Sequence, residues 1–144
     1  MSKYTFSLIL PIYNEEQIAE KAIKEILELN SNSSVLFEII IVNDGSNDLT
    51  SSILDKFKSI ENINLITHEK NYGYGRALKT GITNSKSNII FITDIDGTYP
   101  NKKIIDFAKQ VLQSKYDMLV GARDAGSENI SLIRKPPKYI INKL

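Results

Sequence analysis

The sequence predicts an α/β fold, an open and mostly parallel sheet with helices on both faces. Three observations lead there. Strand-like and helix-like apolar patterns alternate through about the first 120 residues. The run Ile39–Val42 is apolar without alternation, which suits a strand covered on both faces. Polar residues cluster just past the strand signals, at Pro11–Glu15, Asn43–Ser46, Asp94–Asp96 and Arg123. In an open parallel sheet those carboxyl ends share one edge, where ligands bind.

Taken in order, Phe6–Leu10 is an apolar run that Pro11 is expected to stop. Asn14 offers a helix cap ahead of Glu15 and Glu16, whose charge suits a helix N-terminus. Ile18, Ala19, Ala22, Ile23, Ile26, Leu27 and Leu29 then recur at helical spacing until the polar stretch Asn30–Ser34. Val35–Val42 is a second strand and Asn43–Ser46 a turn. Asn47 or Asp48 can cap a helix whose apolar face is Leu49, Ile53, Leu54 and Phe57. Ile63–Thr67 is a third strand, Asn71–Gly75 a glycine-bearing loop, and Arg76–Thr83 a helix. Ile89–Thr93 reads as a short buried strand. Pro100 precedes a helical pattern with Ile104, Ile105, Phe107, Ala108, Val111 and Leu112, and Met118–Val120 reads as a fifth strand.

The 144 residues suit one domain. Lys+Arg 18 against Asp+Glu 17 lacks the basic excess of a nucleic-acid binder. The absence of cysteine removes disulfides and thiolate metal sites. The opening MSKYTFSLIL carries no signal-peptide pattern, and no run approaches the ~20 apolar residues of a membrane span. The expectation is a soluble, cytoplasmic segment, at the inner face of a membrane if a longer chain carries it there.

The chemistry concentrates at NIIFITDIDGTYP, Asn88–Pro100. Asp94 and Asp96 follow a strand signal, and alternate residues of a strand face one way, so their carboxylates converge if the extended geometry continues. Two carboxylates aimed together repel unless a cation sits between them. A hard, oxygen-loving ion such as Mg2+ or Mn2+ fits, sharing its shell with substrate phosphates. An acidic turn facing water reads the same way from sequence alone. Asp44, before Gly45, can accept a base N–H or a ribose hydroxyl, or serve as a turn residue. Tyr13 can stack on a base or simply lie on the surface, Glu15 can touch a ligand or favour a helix start, and Arg123 can fork onto phosphate oxygens or face water. The GxG of Asn71–Ala77 lacks the third glycine of a dinucleotide fingerprint. His68, the one histidine, has no acidic or second histidine pattern around it and reads as lying outside the chemistry.

Leu8–Glu16, Glu38–Ser46, Asn71–Ala77, the DIDGTYP of Asp94–Pro100 and Val120–Arg123 together resemble the catalytic domain of a family 2 glycosyltransferase with the Rossmann-like GT-A fold. The flavour is that of polyprenyl-phosphate, dolichol-phosphate-mannose-synthase-like enzymes. The resemblance implies an inverting transfer from a UDP- or GDP-sugar to an acceptor such as a polyprenyl phosphate or a saccharide, with Mg2+ or Mn2+ as cofactor. It implies that Pro11, Tyr13, Glu15 and Asp44 line the nucleoside pocket. Asp94 and Asp96 would be the catalytic, metal-holding pair, with Asp96 the more direct ligand, and Arg123, then Arg134, would meet phosphate. Residues 1–123 would form the nucleotide-sugar-binding domain and 124–144 the incomplete start of an acceptor-side region. Thr98 stands where the polyprenyl-phosphate group often carries Gln. Acceptor-side segments of the family lie beyond what these motifs cover, so residues 1–144 alone are expected to bind weakly and turn over poorly. Two other readings exist. DIDGT matches the motif of haloacid-dehalogenase-type phosphatases, in which Asp94 would be the nucleophile, although those enzymes carry it on their first strand. A non-catalytic nucleotide-binding module would share the fold without the activity.

Overall fold

The computed structural model describes residues 4–96, 103–113 and 118–121. Strands β1 (Phe6–Ile12), β2 (Phe37–Asn43), β3 (Ile63–Thr67) and β4 (Ile90–Ile92) form one four-stranded sheet in the order β3-β2-β1-β4, every pairing parallel. Helices α1 (Ala19–Ser31), α2 (Thr50–Asp55), α3 (Tyr74–Thr83) and α4 (Lys103–Gln113) alternate with the strands. The chain first moves from β1 to β2 and β3, then returns to add β4 on the other side of β1. That reversal opens a crevice at the carboxyl ends of the strands.

Helices cover both faces, as expected. Leu8, Leu10, Ile12, Ile39 and Ile41 pack with Ile23 and Ile26 of α1 and Ile104 and Ala108 of α4. Ile9, Ile40 and Val42 point the other way and meet Ala77 and Leu78 of α3. A Cβ on Gly81 would lie 2.5 Å from Ile9 Cγ2, so α3 rests directly on β1.

The structure corrects several expected boundaries. Pro11 does not stop β1. Ser7 N–H donates to Ile89 O and Thr93 N–H donates to Ile9 O, while Asp44 N–H donates to Ile12 O. Odd residues of β1 thus face β4 and even residues face β2. The N–H that Pro11 lacks falls on the β4 side, past Ile9, the last residue paired there. Asn14 is not the cap of α1 but a left-handed turn residue with φ 54°. The second strand begins at Phe37 rather than Val35, and α3 begins at Tyr74 behind Gly73, which has φ 91°. β4 is an edge strand among the described residues, with Ile90 and Ile92 exposed, rather than a buried one. Residues 118–121 form no strand, and Met118 and Val120 are exposed, because no neighbouring strand pairs with them among the described residues.

Candidate nucleotide-sugar site

One cleft of about 310 Å³ opens at the switch point. Pro11, Tyr13 and Glu15 reach it from the end of β1, Asp44 from β2, Asn71, Gly73 and Tyr74 from the start of α3, and Asp94 and Asp96 from beyond β4. Residues distant in the chain are thus gathered by the parallel topology alone. Arg123 and Arg134, and Gly97 to Pro100, lie outside the described residues.

The two loops that carry Tyr13 and Glu15 on one side and Asp48 on the other are laced together. Asn14 N–H donates to Ser46 Oγ and Asn47 N–H donates to Asn14 Oδ1. Glu15 N–H donates to Thr50 Oγ1, Glu16 N–H to Asp48 Oδ2, and Leu49 N–H to Glu16 Oε2. Asp48 also accepts from Thr50 N–H at 2.9 Å, so it supports the entry to α2 as a cap would. Asn43, fully buried, accepts Ser46 N–H and donates to Ser51. The rim is therefore held by the backbone donors of two loops, each satisfied by the other.

Asp44 is 4% exposed. Its Oδ1 accepts from His68 Nδ1 at 2.7 Å and from Tyr72 N–H at 3.0 Å, and its Oδ2 accepts from Gly73 N–H at 2.8 Å. Burial alone would push this carboxyl up, but the hydrogen bond from His68, the two backbone N–H groups and the imidazole's charge outweigh it and hold the group below the usual Asp range. Gly45 makes this possible. It has φ 68°, and a Cβ there would meet the Lys70 carbonyl carbon at 2.2 Å, so only glycine lets the loop after β3 close over Asp44.

The acidic end differs from the expected geometry. β4 stops at Ile92 and residues 95–96 form a bend, so the extended continuation of the strand is absent. Asp94 and Asp96 still both line the cleft, with Ile95 buried between them. Tyr74 Oη donates to Asp94 Oδ1 at 3.2 Å. Glu15 faces the pair. Its carboxyl is pushed up first by burial and then by the charges of Asp96, Asp48 and Asp94. Mutual repulsion among hard oxygen donors is the setting a divalent cation relieves. Among the described residues no three acidic or histidine side chains close on one point. The oxygen donors of Asp94 and Asp96 are of the kind that would suit a hard divalent cation such as Mg2+ or Mn2+.

His68 and Tyr74 are the residues that sequence reading did not bring to this site. The rim reasoning, extended to the end of β3, would have found His68.

A family model described as glycosyl transferase family 2 matches residues 7–144. The chain belongs to glycosyltransferase family 2. Among curated family relatives, the undecaprenyl-phosphate 4-deoxy-4-formamido-L-arabinose transferase of Photorhabdus laumondii is 33% identical over 140 residues, covering 96% of this chain and 42% of that protein. The chain spans about two fifths of the length of such relatives. Of solved structures, Staphylococcus aureus TarS 1–349 in complex with UDP-GlcNAc superposes with a TM-score of 0.58 at 27% identity, over 76% of this chain and 31% of that one. The mannosyltransferase PcManGT of Pyrobaculum calidifontis, solved with GDP-Man and Mn2+, shares the fold with a TM-score of 0.58 at 23% identity, over 77% and 32%. The sheet and its two helical layers are those of the GT-A fold, and a phosphatase reading of DIDGT finds no support.

Proposed function

We propose that this chain is the donor-binding part of an inverting glycosyltransferase that moves a sugar from a UDP- or GDP-sugar to a polyprenyl phosphate. The observation that carries the reading is that one cleft gathers a buried carboxylate, Asp44, from one strand end and an acidic pair, Asp94 and Asp96, from another. Tyr13 and Pro11 offer apolar surface to a base. Asp44 retains acceptor capacity for its N–H edge. Asp94 and Asp96 would hold a divalent cation against the diphosphate, and Arg123 would add a fork on its oxygens. When bound, the cation neutralises charge that grows on the departing nucleoside diphosphate. A lipid-phosphate oxygen is already an anion, so attack on the sugar's anomeric carbon needs little help from a base. Similarity to an undecaprenyl-phosphate sugar transferase supports that acceptor class, and likeness to a UDP-GlcNAc complex supports the donor class.

The test is a calorimetric panel of UDP, GDP and their sugars, with and without Mn2+. One nucleotide should bind in a Mn2+-dependent way, and Asp44→Ala and Asp96→Ala should each weaken it tenfold or more. If both variants bind like the parent, the site is elsewhere.

A further inference from the structure

We infer that His68 is a positioning residue of the nucleotide site: anchored to the sheet and to Thr80, it occupies Oδ1 of Asp44 and leaves Oδ2 as the acceptor for a base N–H. This inference rests on the donor-site reading above and adds to it the group that orients the base-reading carboxylate.

Hydrogen-bond accounting leads to it. An ionised carboxylate oxygen accepts about two hydrogen bonds. Oδ1 of Asp44 has two, from His68 Nδ1 and Tyr72 N–H, whereas Oδ2 has one, from Gly73 N–H. The acceptor position left over therefore belongs to Oδ2, on a residue that lines the cleft.

The donors are not equivalent. Tyr72 and Gly73 lie in the loop before α3, and that loop is itself docked onto Asp44, so their N–H groups follow the carboxylate as much as they fix it. His68 has an independent frame. Its own N–H donates to Asn43 O at 2.9 Å, which continues the β2–β3 ladder by one residue. Its ring is 11% exposed, and its Nε2 lies 2.9 Å from Thr80 Oγ1 on α3. An ionised carboxylate only accepts, so Nδ1 carries a proton and donates to Asp44, while the Thr80 hydroxyl, which can donate or accept, holds Nε2 in either ring state. Thr80 thus fixes the orientation of the ring that donates to Asp44. The Tyr72 ring packs against the imidazole in a T-shaped pair, with centroids 5.4 Å apart and planes at 76°. Sheet, helix and loop converge on one ring whose remaining function is to aim one oxygen.

The experiment measures binding of UDP and GDP to the full chain with Mn2+, and of the better ligand methylated at its base N–H (N3-methyl-UDP or N1-methyl-GDP). The parent should discriminate against the methylated form at least tenfold, since the methyl removes the donor. His68→Leu should weaken the unmethylated ligand about tenfold, as expected for losing a hydrogen bond to a charged group, and should erase most of the discrimination. His68→Asn, whose amide can place an N–H near the Nδ1 position, should stay within about threefold of the parent. A His68→Leu protein that keeps both affinity and discrimination overturns the inference, as does one that loses affinity equally for both ligands, the mark of a purely structural role. If His68→Leu does not fold, Thr80→Val decides: discrimination should fall about threefold, and parental discrimination overturns the inference. A parent that binds neither nucleotide overturns the donor-site reading and the His68 role together, whereas parental binding with unaltered variants overturns the His68 role alone.

Discussion

Strand β2 carries a buried carboxylate near each end, and the two lead different lives. Glu38, at its start, is 2% exposed; Asp44, just past its end, is 4% exposed. Each clasps one of the loops that flank α3. Glu38 Oε1 accepts from Lys86 N–H at 2.6 Å and from the Ser7 hydroxyl at 2.5 Å, and Ser85 donates in turn to Ser7. Asp44 accepts from Tyr72 and Gly73 on the opposite side of the helix. Burial and a clasped loop are thus common to both ends and cannot set the two carboxylates apart. Position can. Asp44 opens on the edge where β1, β2 and β4 all terminate, while Glu38 lies at the other end of the strand, pinning the exit of α3 to β1 and β2. The first is a clasp at the mouth of a crevice, the second a peg.

The comparison breaks most severely at Gly45. Gly45→Ala places a Cβ against Lys70 backbone at 2.2 Å in a left-handed conformation. Strain of this kind plus overpacking should cost about 3 kcal/mol or more in urea unfolding. Nucleotide binding by calorimetry should vanish at temperatures where the variant is still folded, because the loop that clasps Asp44 can no longer close. Parental affinity in a folded Gly45→Ala protein would mean that this clasp is not part of the site.

Glu38→Ala sharpens the contrast from the other end. It leaves the buried Ser7 hydroxyl and the half-buried Lys86 N–H without their acceptor. The expected loss is about 2–3 kcal/mol of stability, with the affinity for nucleotide unchanged. A shifted Kd at full folding would show that the peg at one end of α3 is felt by the clasp at the other.

Much of this arrangement was legible in the residues. The unbroken Ile39–Val42 run announced a strand covered on both sides, and the polar strand ends announced a shared rim, because both follow from local pattern and parallel topology. Element boundaries were less legible, since they turn on partners remote in sequence. Pro11 stays in β1 only because its missing N–H faces a stretch that β4 does not reach. Asn14 serves the adjoining loop rather than its own helix because Ser46 and Asn47 lie beside it. Met118–Val120 has the composition of a strand but no paired neighbour among the described residues. The place of His68 on the rim was legible from its position after β3, but its role was not, for a related reason. A lone histidine declares its role only when the carboxylate it touches is known, and Asp44 lies 24 positions away.

The smallest effect expected concerns the cleft's two kinds of carboxylate, which respond to pH with opposite sign. Asp44 sits below its ordinary value of 3.8, so the folded state binds its proton less readily than the unfolded chain. Its contribution to stability is present above that value and is lost as pH falls through its lowered folded pKa. Glu15 sits above its ordinary value of 4.5, through burial and the charges of Asp96, Asp48 and Asp94. The folded state holds that proton longer, so stability declines as pH rises from 4.5 through the raised value, and the cost is fully present at neutrality. A divalent cation bound at Asp94 and Asp96 would offset this repulsion only where Glu15 is charged. Mn2+ at tenfold excess over its Kd should therefore stabilise the chain at pH 7 by about 1.4 kcal/mol, a rise of roughly 3–6 °C in Tm. At pH 4 the rise should be smaller, and Asp96→Asn should remove it at both. Glu38→Gln, far from the rim, should leave the Mn2+ response intact. An equal shift at both pH values, or one that survives Asp96→Asn, would mean the ion binds away from the cleft, and the acidic pair would then be no more than a second peg.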